Sequence, residues 1–441
     1  MTDATQQIEG RTAMEIADSV RTLLERGALR PGDALPPVRA LAERLGVNRN
    51  TAVAAYGLLS RAGTVVAGGR AGTRIADLSP VAQEGYARDS VLRDIGAGNP
   101  DPALIPDPSR ALRALAGRPV LYGEPVIDPG LEAWAGGWFA PDVAPAELRL
   151  TITSGAVDAV ERLLAQALTR DDAVALEDPC WLASIHTVRL SGYRAVPVPV
   201  DAEGMTPDGL RAALAQGVRA VVCTPRSQNP TGADVSARRA EELREILADH
   251  PYVLVIEDDH YSLLSQRPFH SIVGPAHRRW ALVRSVSKFL GPDMSLAVTA
   301  TDPETAERLA LRLSPGTTWV SHLLQRLAHA LLTDRDSRDT IARAGAHYAA
   351  RNEAFVARLA AHGIRMTAGD GLSLWVPVKA PARDVAEQLM RRGWLPRTGD
   401  EFRLAGDEPS RHLRLTVHDL TGAEAEALAS DLAASIAAAS S

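Results

Sequence analysis

Leu282-Val-Arg-Ser-Val-Ser-Lys-Phe-Leu-Gly-Pro292 (LVRSVSKFLGP) is the stretch on which the fold turns. Read back to Arg279 it is a strand, RWALVRSVS, whose period of two sets Ser285 and Ser287 on one face. Lys288 follows at the strand's end, the place where open α/β sheets bind ligands. The chain has 48 Lys and Arg together, yet only Lys288 and Lys379 are lysines. Arg is always protonated, whereas a buried Lys can shed its proton and attack a carbonyl. Lys379, in VPVKAPA ahead of a helix, reads as a surface residue. Lys288, beside two hydroxyls suited to a phosphate, has the placement of a lysine that forms a Schiff base with an aldehyde cofactor.

Outward from this stretch, further polar residues fall at strand ends. Asp258 closes YVLVIED and is placed to pair with a protonated ring nitrogen, with Tyr261 three residues on as a donor to a ring oxygen. Ser154-Gly155-Ala156 opens a helix, where bare N–H groups can hold a phosphate. Asn229-Pro230-Thr231-Gly232 follows the strand AVVCTP, and Trp181 follows the strand that ends in EDPCW. Taken singly each has a plainer reading: an acidic loop, an N-cap serine, a turn, a core tryptophan. Apolar runs at 173–176, 195–200, 220–223, 253–256, 281–283 and 296–299 alternate with helical stretches at 155–168, 181–191, 207–216 and 236–249. That alternation predicts a mostly parallel sheet covered on both faces, with residues 303–332 helical and 340–441 a smaller α+β subdomain.

The chain ahead of this domain differs in kind. Residues 1–75 hold ten Arg against seven acids, a balance of +3 that leaves −9 for the other 366 residues. Residues 1–10 read as a disordered tail, 11–75 as a small helical module ending in a ribbon, 76–94 as a polar linker and 95–441 as the large domain. In the module a helix ends at Pro31-Gly32-Asp33, a second runs from about Pro37 to Leu45, and Asn48 caps a third over Arg49–Arg61. TVVAGGRAGTRIA then makes two short strands. Helix, turn, helix and wing is the shape that lays one helix in a major groove. Asn48, Arg49, Asn50 and Thr51 open that helix, and Arg can pair with guanine and Asn with adenine. Arg70 and Arg74 flank the wing tip Gly72-Thr73, within reach of phosphate or the minor groove.

Composition bounds the rest. The 441 residues are 46% hydrophobic and 23% charged, with a net charge of −6. Two cysteines, Cys180 and Cys223, exclude a disulfide scaffold and a cysteine metal cluster, and no metal site is expected. No apolar run is long enough to span a membrane and the N-terminus lacks a signal core, so a cytoplasmic protein is expected.

The segment from Leu29 to Ile75 resembles the winged helix-turn-helix of the GntR regulators, through Arg39, Leu41-Ala42, Leu45-Gly46-Val47, Arg49, Thr51-Ala52-Val53, Ala55-Tyr56 and Gly72-Thr73. The resemblance implies that Arg39, Arg49, Asn50, Thr51 and Gly72 contact DNA. Asn48 and Ala62 depart from the usual Ser and Glu. Residues 95–441 resemble the fold type I aminotransferases that use pyridoxal 5′-phosphate, through Tyr122-Gly123, Ser154-Gly155-Ala156, Trp181, Asn229-Pro-Thr-Gly, Asp258 with Tyr261, Ser285-x-Ser287-Lys288 and Arg414. That resemblance implies that Lys288 forms the Schiff base, Asp258 holds the pyridinium, and Asn229 and Tyr261 bond the 3′ oxygen. It also implies that Trp181 stacks on the ring and that Ser154, Gly155, Ala156, Ser285 and Ser287 hold the phosphate. Tyr122 would reach across from a second subunit, and Arg414 would bind a substrate or effector carboxylate.

One departure stands out. The family's phosphate-clamping Arg, seven or eight residues after the lysine, is replaced by Ser295 and Leu296. Losing such a charge-assisted contact costs roughly 1.5–3 kcal/mol, about ten- to a hundred-fold in affinity. The fusion resembles the MocR subfamily, and IEDDHYSLL and SVSKFLGPDM are most similar to its PtsJ-type branch, linked to vitamin B6 metabolism. The expectation is a homodimeric regulator that binds double-stranded DNA and senses pyridoxal 5′-phosphate or an amino-acid adduct of it. The alternative is an aminotransferase that retains a DNA-binding appendage.

Overall fold

The computed structural model describes residues 4–61, 64–67, 72–75, 90–115, 119–143, 148–313, 319–404 and 408–440. The chain divides into two compact units, Met1–Ala82 and Gln83–Ser441.

In the first unit, Thr12 caps the helix Ala13–Glu25 with a reciprocal box to Glu15. Ile16, Ala17, Val20 and Leu23 face inward from it. Val38–Leu45 ends at Gly46, whose φ of 64° is the left-handed stop that favours glycine. Asn48 caps Arg49–Arg61, its Oδ1 accepting from the Asn50 N–H at 2.8 Å. Val65–Ala67 and Thr73–Ile75 pair antiparallel as the wing. The three helices close on one core that includes Leu41, Ala52, Ala55 and Leu59. The expected disordered tail is corrected for residues 4–10. Ala4–Gln7 form a short 3-10 helix and Ile8 is fully buried in that core. The cause is Arg44, whose guanidinium donates to the carbonyls of Thr5, Gln6 and Ile8.

The second unit is built on a sheet of eight strands. In spatial order they are Arg149–Thr153, Ala297–Thr301, Trp280–Ser285, Leu254–Asp258, Ala220–Cys223, Ala173–Asp178, Arg194–Asp201 and Gly204–Met205. Trp280–Ser285 through Arg194–Asp201 run parallel, and Ala297–Thr301 is antiparallel to both its neighbours. Alternate residues feed opposite faces. Leu176, Val222, Ile256 and Val283 pack with Val160, Leu163 and Leu164 of the helix Ala156–Ala167. Ala175, Val221 and Val255 pack with Leu210, Leu243 and Leu247 of Pro207–Ala215 and Ala237–Ala248. Polar atoms are therefore useful only at strand ends, which is where the site lies. The region 303–332 holds two helices, Pro303–Leu313 and His322–Thr333.

The smaller lobe contains the antiparallel strands Leu374–Pro377, His412–Leu415 and Arg397–Thr398 and the helices Ala382–Met390 and Gly422–Ala439. It is not confined to 340–441. Arg93–Asp94 pairs parallel with Trp394–Leu395, and Ile95 is buried among Phe355, Leu374, Leu413 and Leu428. The linker therefore ends before Arg93, because those backbone groups are already hydrogen-bonded in a strand pair; its residues 76–89 lie outside the described residues.

Candidate functional site

In the first unit the third helix turns Arg49 and Asn50 fully outward, with Thr51 half-buried, while Ala52, Ala55, Tyr56 and Leu59 face the core. Tyr56 donates to Pro36 O at 2.7 Å, which fixes this helix against the chain entering the one before it. Arg39 and Gly72 are exposed and Thr73 is half-buried. Gly72 itself has a φ of 80°, in the region that favours glycine. Asn48 spends its carbonyl oxygen on the cap and keeps its amide hydrogens. Arg74 donates to Gly32 O at 3.0 Å, so that guanidinium braces the wing. Arg70 lies outside the described residues.

In the second unit Lys288 sits on the short helix Ser287–Leu290 after the strand Trp280–Ser285. The strand ends at Ser285, so it is the turn that brings the serines together, with Oγ atoms 3.2 Å apart and the Ser287 N–H donating to Ser285 Oγ at 3.2 Å. Lys288 Nζ donates to Gly98 O at 3.1 Å. A small cavity brings Lys288 together with Asn229, Tyr261 and Arg414, and its lining also includes Asp370, Ser227 and Ser373.

Asp258, at the end of Leu254–Asp258, is buried, and its Oδ1 has no hydrogen-bond partner. Burial, then the nearby charges of Asp259 and Glu177, push its carboxyl up to about 7, while the Lys288 ammonium pulls the other way. Such a group is built for a cationic N–H partner. Asp259 behaves oppositely. Arg226 grips it through two bonds of 3.0 and 2.7 Å and Arg284 through one of 2.9 Å, and these guanidinium groups hold it ionised below its usual range despite full burial. Arg284 also donates to Trp138 O at 2.7 Å. It is fully committed on the side of the sheet away from Ser285, as strand alternation requires.

Tyr261 is buried, and burial with Asp370 nearby raises its hydroxyl well above the ordinary value. Asn229 Oδ1 accepts from Arg414 Nη1 at 3.3 Å, which leaves the Asn229 amide hydrogens to donate. Arg414 is buried in His412–Leu415, donates to Gly96 O at 2.6 Å and lies over the Phe402 ring at 4.8 Å. Trp181 stands at the start of Leu182–Leu190, half-buried, with its indole N–H unpartnered. Neither Trp181 nor Tyr122 lines the Lys288 cavity; Tyr122 is 93% exposed, edge-on to Trp319 at 5.6 Å.

Ser154, Gly155 and Ala156 form the turn into Ala156–Ala167, with Gly155 at φ 93°. Ser295 stands at the same turn, its Oγ donating to Ser154 O at 3.2 Å. The turn is less open to an anion than its sequence suggests, because Asp158 accepts the Ser154 N–H at 2.9 Å and is itself held by Arg162 at 2.6 Å.

Sequence reasoning missed four contributors. Glu177 lies buried near Asp258, accepts from Thr224 N and Gln228 Nε2 at 3.2 Å, and is pushed up to about 7 chiefly by burial. Its signal was the acidic pair Glu177-Asp178 that closes the apolar run AVAL. Asp370 accepts from Ser227 Oγ at 3.0 Å and from Ser265 Oγ, which ties the small lobe's loop to the cavity. The Gly96 and Gly98 carbonyls had no side-chain signal at all. Among the described residues no group of three or more His, Cys, Asp or Glu is arranged to hold a metal, and no helix is long and apolar enough to cross a membrane.

Comparison with known proteins agrees with both halves. Residues 12–75 match the family of bacterial regulatory proteins, gntR family, and residues 122–432 match aminotransferase class I and II. The chain is 46% identical, over 96% of its length and 98% of the relative's, to the vitamin B6 salvage pathway transcriptional repressor PtsJ of Salmonella typhimurium. It is 24% identical to a probable rhizopine catabolism regulatory protein, MocR, of Rhizobium meliloti, over 79% of this chain and 77% of that one. Kynurenine aminotransferase of Pyrococcus horikoshii shares the fold with a TM-score of 0.71 at 21% identity, over 79% of this chain and 92% of that one.

Proposed function

The chain belongs to the GntR family of DNA-binding transcription regulators, in the group that joins the reader to an aminotransferase class I and II domain, and from this we propose that its large unit senses pyridoxal 5′-phosphate. The observation that carries the reading is the pairing of Lys288, on the cavity wall, with Asp258, a buried carboxyl whose Oδ1 lacks a partner. The residues present fit the cofactor: an amine, an acidic partner for a ring nitrogen, an amide donor and hydroxyls near a helix N-terminus. When bound, pyridoxal 5′-phosphate supplies an aldehyde that an amine can capture and a ring that withdraws electrons once protonated.

Each residue has a task. Lys288 presents the amine. Asp258, raised to about 7, takes up a negative charge when a cationic N–H arrives, so it responds to the ring nitrogen's protonation. Asn229 and Tyr261 hold the phenolic oxygen, and Trp181 offers its face to the ring. Ser154, Gly155, Ala156, Ser285 and Ser287 hold the phosphate without a cationic clamp, so binding is reversible, as a sensor of concentration requires. Residues 76–92 link the units, the chain works as a cytoplasmic homodimer in which Tyr122 completes the neighbouring site, and Arg39, Asn48, Arg49, Asn50, Thr51, Arg70, Gly72 and Thr73 meet the DNA. The regulated process is vitamin B6 supply, by kinship with the Salmonella repressor.

Slow transamination is the second reading, favoured by the buried Arg414 on the cavity wall. Spectral titration with pyridoxal 5′-phosphate tests the sensor, and steady-state turnover with amino-acid donors tests the rival. A cofactor-saturated protein with ordinary aminotransferase turnover and unchanged DNA affinity would reverse the order of the two.

A further inference from the structure

The segment Ile95-Gly-Ala-Gly-Asn99 lines the Lys288 cavity through Gly98 and is buried except for Asn99. Its attachments are polar and specific. Gly98 N donates to Thr416 Oγ1 at 3.1 Å, Thr416 N donates to Ile95 O at 2.7 Å, and His418 Nε2 lies 2.9 Å from Asn99 O. Gly96 O accepts from Arg414 at 2.6 Å and from Arg397 Nε at 3.2 Å. Gly98 O accepts from Lys288 Nζ at 3.1 Å. Of these bonds only that of Lys288 comes from the large sheet; the others come from the small lobe. Just upstream, Arg93–Asp94 pairs with Trp394–Leu395 of the small lobe, and the linker precedes it in the chain.

We infer that this segment is a strap through which the state of Lys288 is passed to the linker: in the unloaded protein Lys288 pins the strap to the large sheet, and loading releases it. The inference rests on the reading of Lys288 as the cofactor's anchor. The chemistry forces a choice at Nζ. When the ammonium condenses with an aldehyde, a C=N bond forms, two of its three hydrogens leave with the aldehyde oxygen as water, and one N–H remains. A nitrogen that is planar and bonded to the ligand no longer has a hydrogen free to follow Gly98 O. The strap then keeps its bonds to the small lobe, and Asp94, which continues it toward the linker, moves with that lobe.

The test uses the full chain and two substitutions that separate pinning from cofactor capture. Lys288→Ala removes both, whereas Lys288→Arg keeps a donor for Gly98 O but cannot condense. Hydrogen exchange of the peptide spanning 94–99 and DNA affinity are read with and without pyridoxal 5′-phosphate, on a fragment that the protein selects from a random pool. Unloaded Lys288→Ala should exchange this peptide at least several-fold faster than wild type and bind DNA as loaded wild type does. Lys288→Arg should keep the unloaded values in both conditions. Thr416→Val, which loosens Gly98 without touching the cofactor's anchor, should also raise exchange while its spectral titration stays within about twofold of wild type. Wild-type exchange rates in unloaded Lys288→Ala, or one common unloaded DNA affinity for both lysine variants, would overturn the strap. If wild type gives no visible band with the cofactor, the sensor reading fails instead, and the exchange rates of the unloaded proteins still decide whether Lys288 pins the segment.

Discussion

Replacing Ser295 by Arg tests the reversible-sensor reading at the atom where this chain departs from its enzyme relatives. Ser295 is exposed, its Oγ reaches Ser154 O at 3.2 Å, and a Cβ at Gly155 would lie 3.7 Å from it, so its side chain stands beside the phosphate turn. Its backbone is left-handed, at φ 36°, a burden that Ser and Arg carry alike. A fully formed charge-assisted bond to phosphate gives about 1.5–3 kcal/mol, but exposure and the cost of ordering a long side chain reduce this to about 1 kcal/mol. Ser295→Arg should therefore bind pyridoxal 5′-phosphate about five-fold more tightly. Asp158 opposes an anion at the same turn, so Asp158→Asn should tighten binding in the same direction. The assay is a spectral titration of the three proteins in one buffer, with DNA affinity followed in parallel. Equal or weaker cofactor binding by Ser295→Arg would mean that another arginine already serves the phosphate, and the argument from a missing clamp would fail.

Lys288→Ala should abolish the visible absorbance that lysine-bound pyridoxal 5′-phosphate gives; a band of unchanged size would place the cofactor on Lys379 or the N-terminus. Arg49→Ala should weaken DNA binding by about 1–3 kcal/mol while leaving that absorbance intact, as filter binding and a spectrum of the same sample will show. Asp258 has its carboxyl raised from 3.8 to about 7, so the folded chain keeps a proton that the unfolded chain loses between those values. Its contribution to stability thus falls as pH rises through that window. Asn mimics the protonated acid, and cofactor-free Asp258→Asn should gain on the order of 2 kcal/mol over wild type at pH 8 and little at pH 4. Denaturant melts at both pH values check this, and a gain confined to low pH contradicts it.

Much of the architecture is legible in the chain because its strands are short apolar runs whose alternate residues enter opposite cores. Leu176 and Ala175 already look to different faces in the sequence, and they do in the fold. Gly46, Asn48 and the turn at Gly72 declare the reader by backbone demands that few residues meet. What escaped has a common physical cause: it depends on partners far away along the chain. Nothing local marks Arg44 as the residue that orders 4–10, or Arg93–Asp94 as a strand, since its partner is Trp394–Leu395. The Ser285–Ser287 apposition was expected from strand alternation, and it arises from the turn that ends the strand. Asp259 carried no signal of its own, yet its bonds to Arg226 and Arg284 hold the carboxylate next to Asp258 ionised below its usual range. Backbone carbonyls such as that of Gly98 leave no trace in a sequence, although one of them receives the Lys288 hydrogen bond.

The central claim is that occupancy at Lys288 sets DNA affinity, and one titration addresses it most directly. DNA binding by the full chain is measured across a range of pyridoxal 5′-phosphate concentrations while the visible band is recorded in the same cuvette. The account predicts that DNA affinity changes at least several-fold and that its midpoint coincides with the midpoint of the band. A band that saturates while DNA affinity stays flat would contradict it.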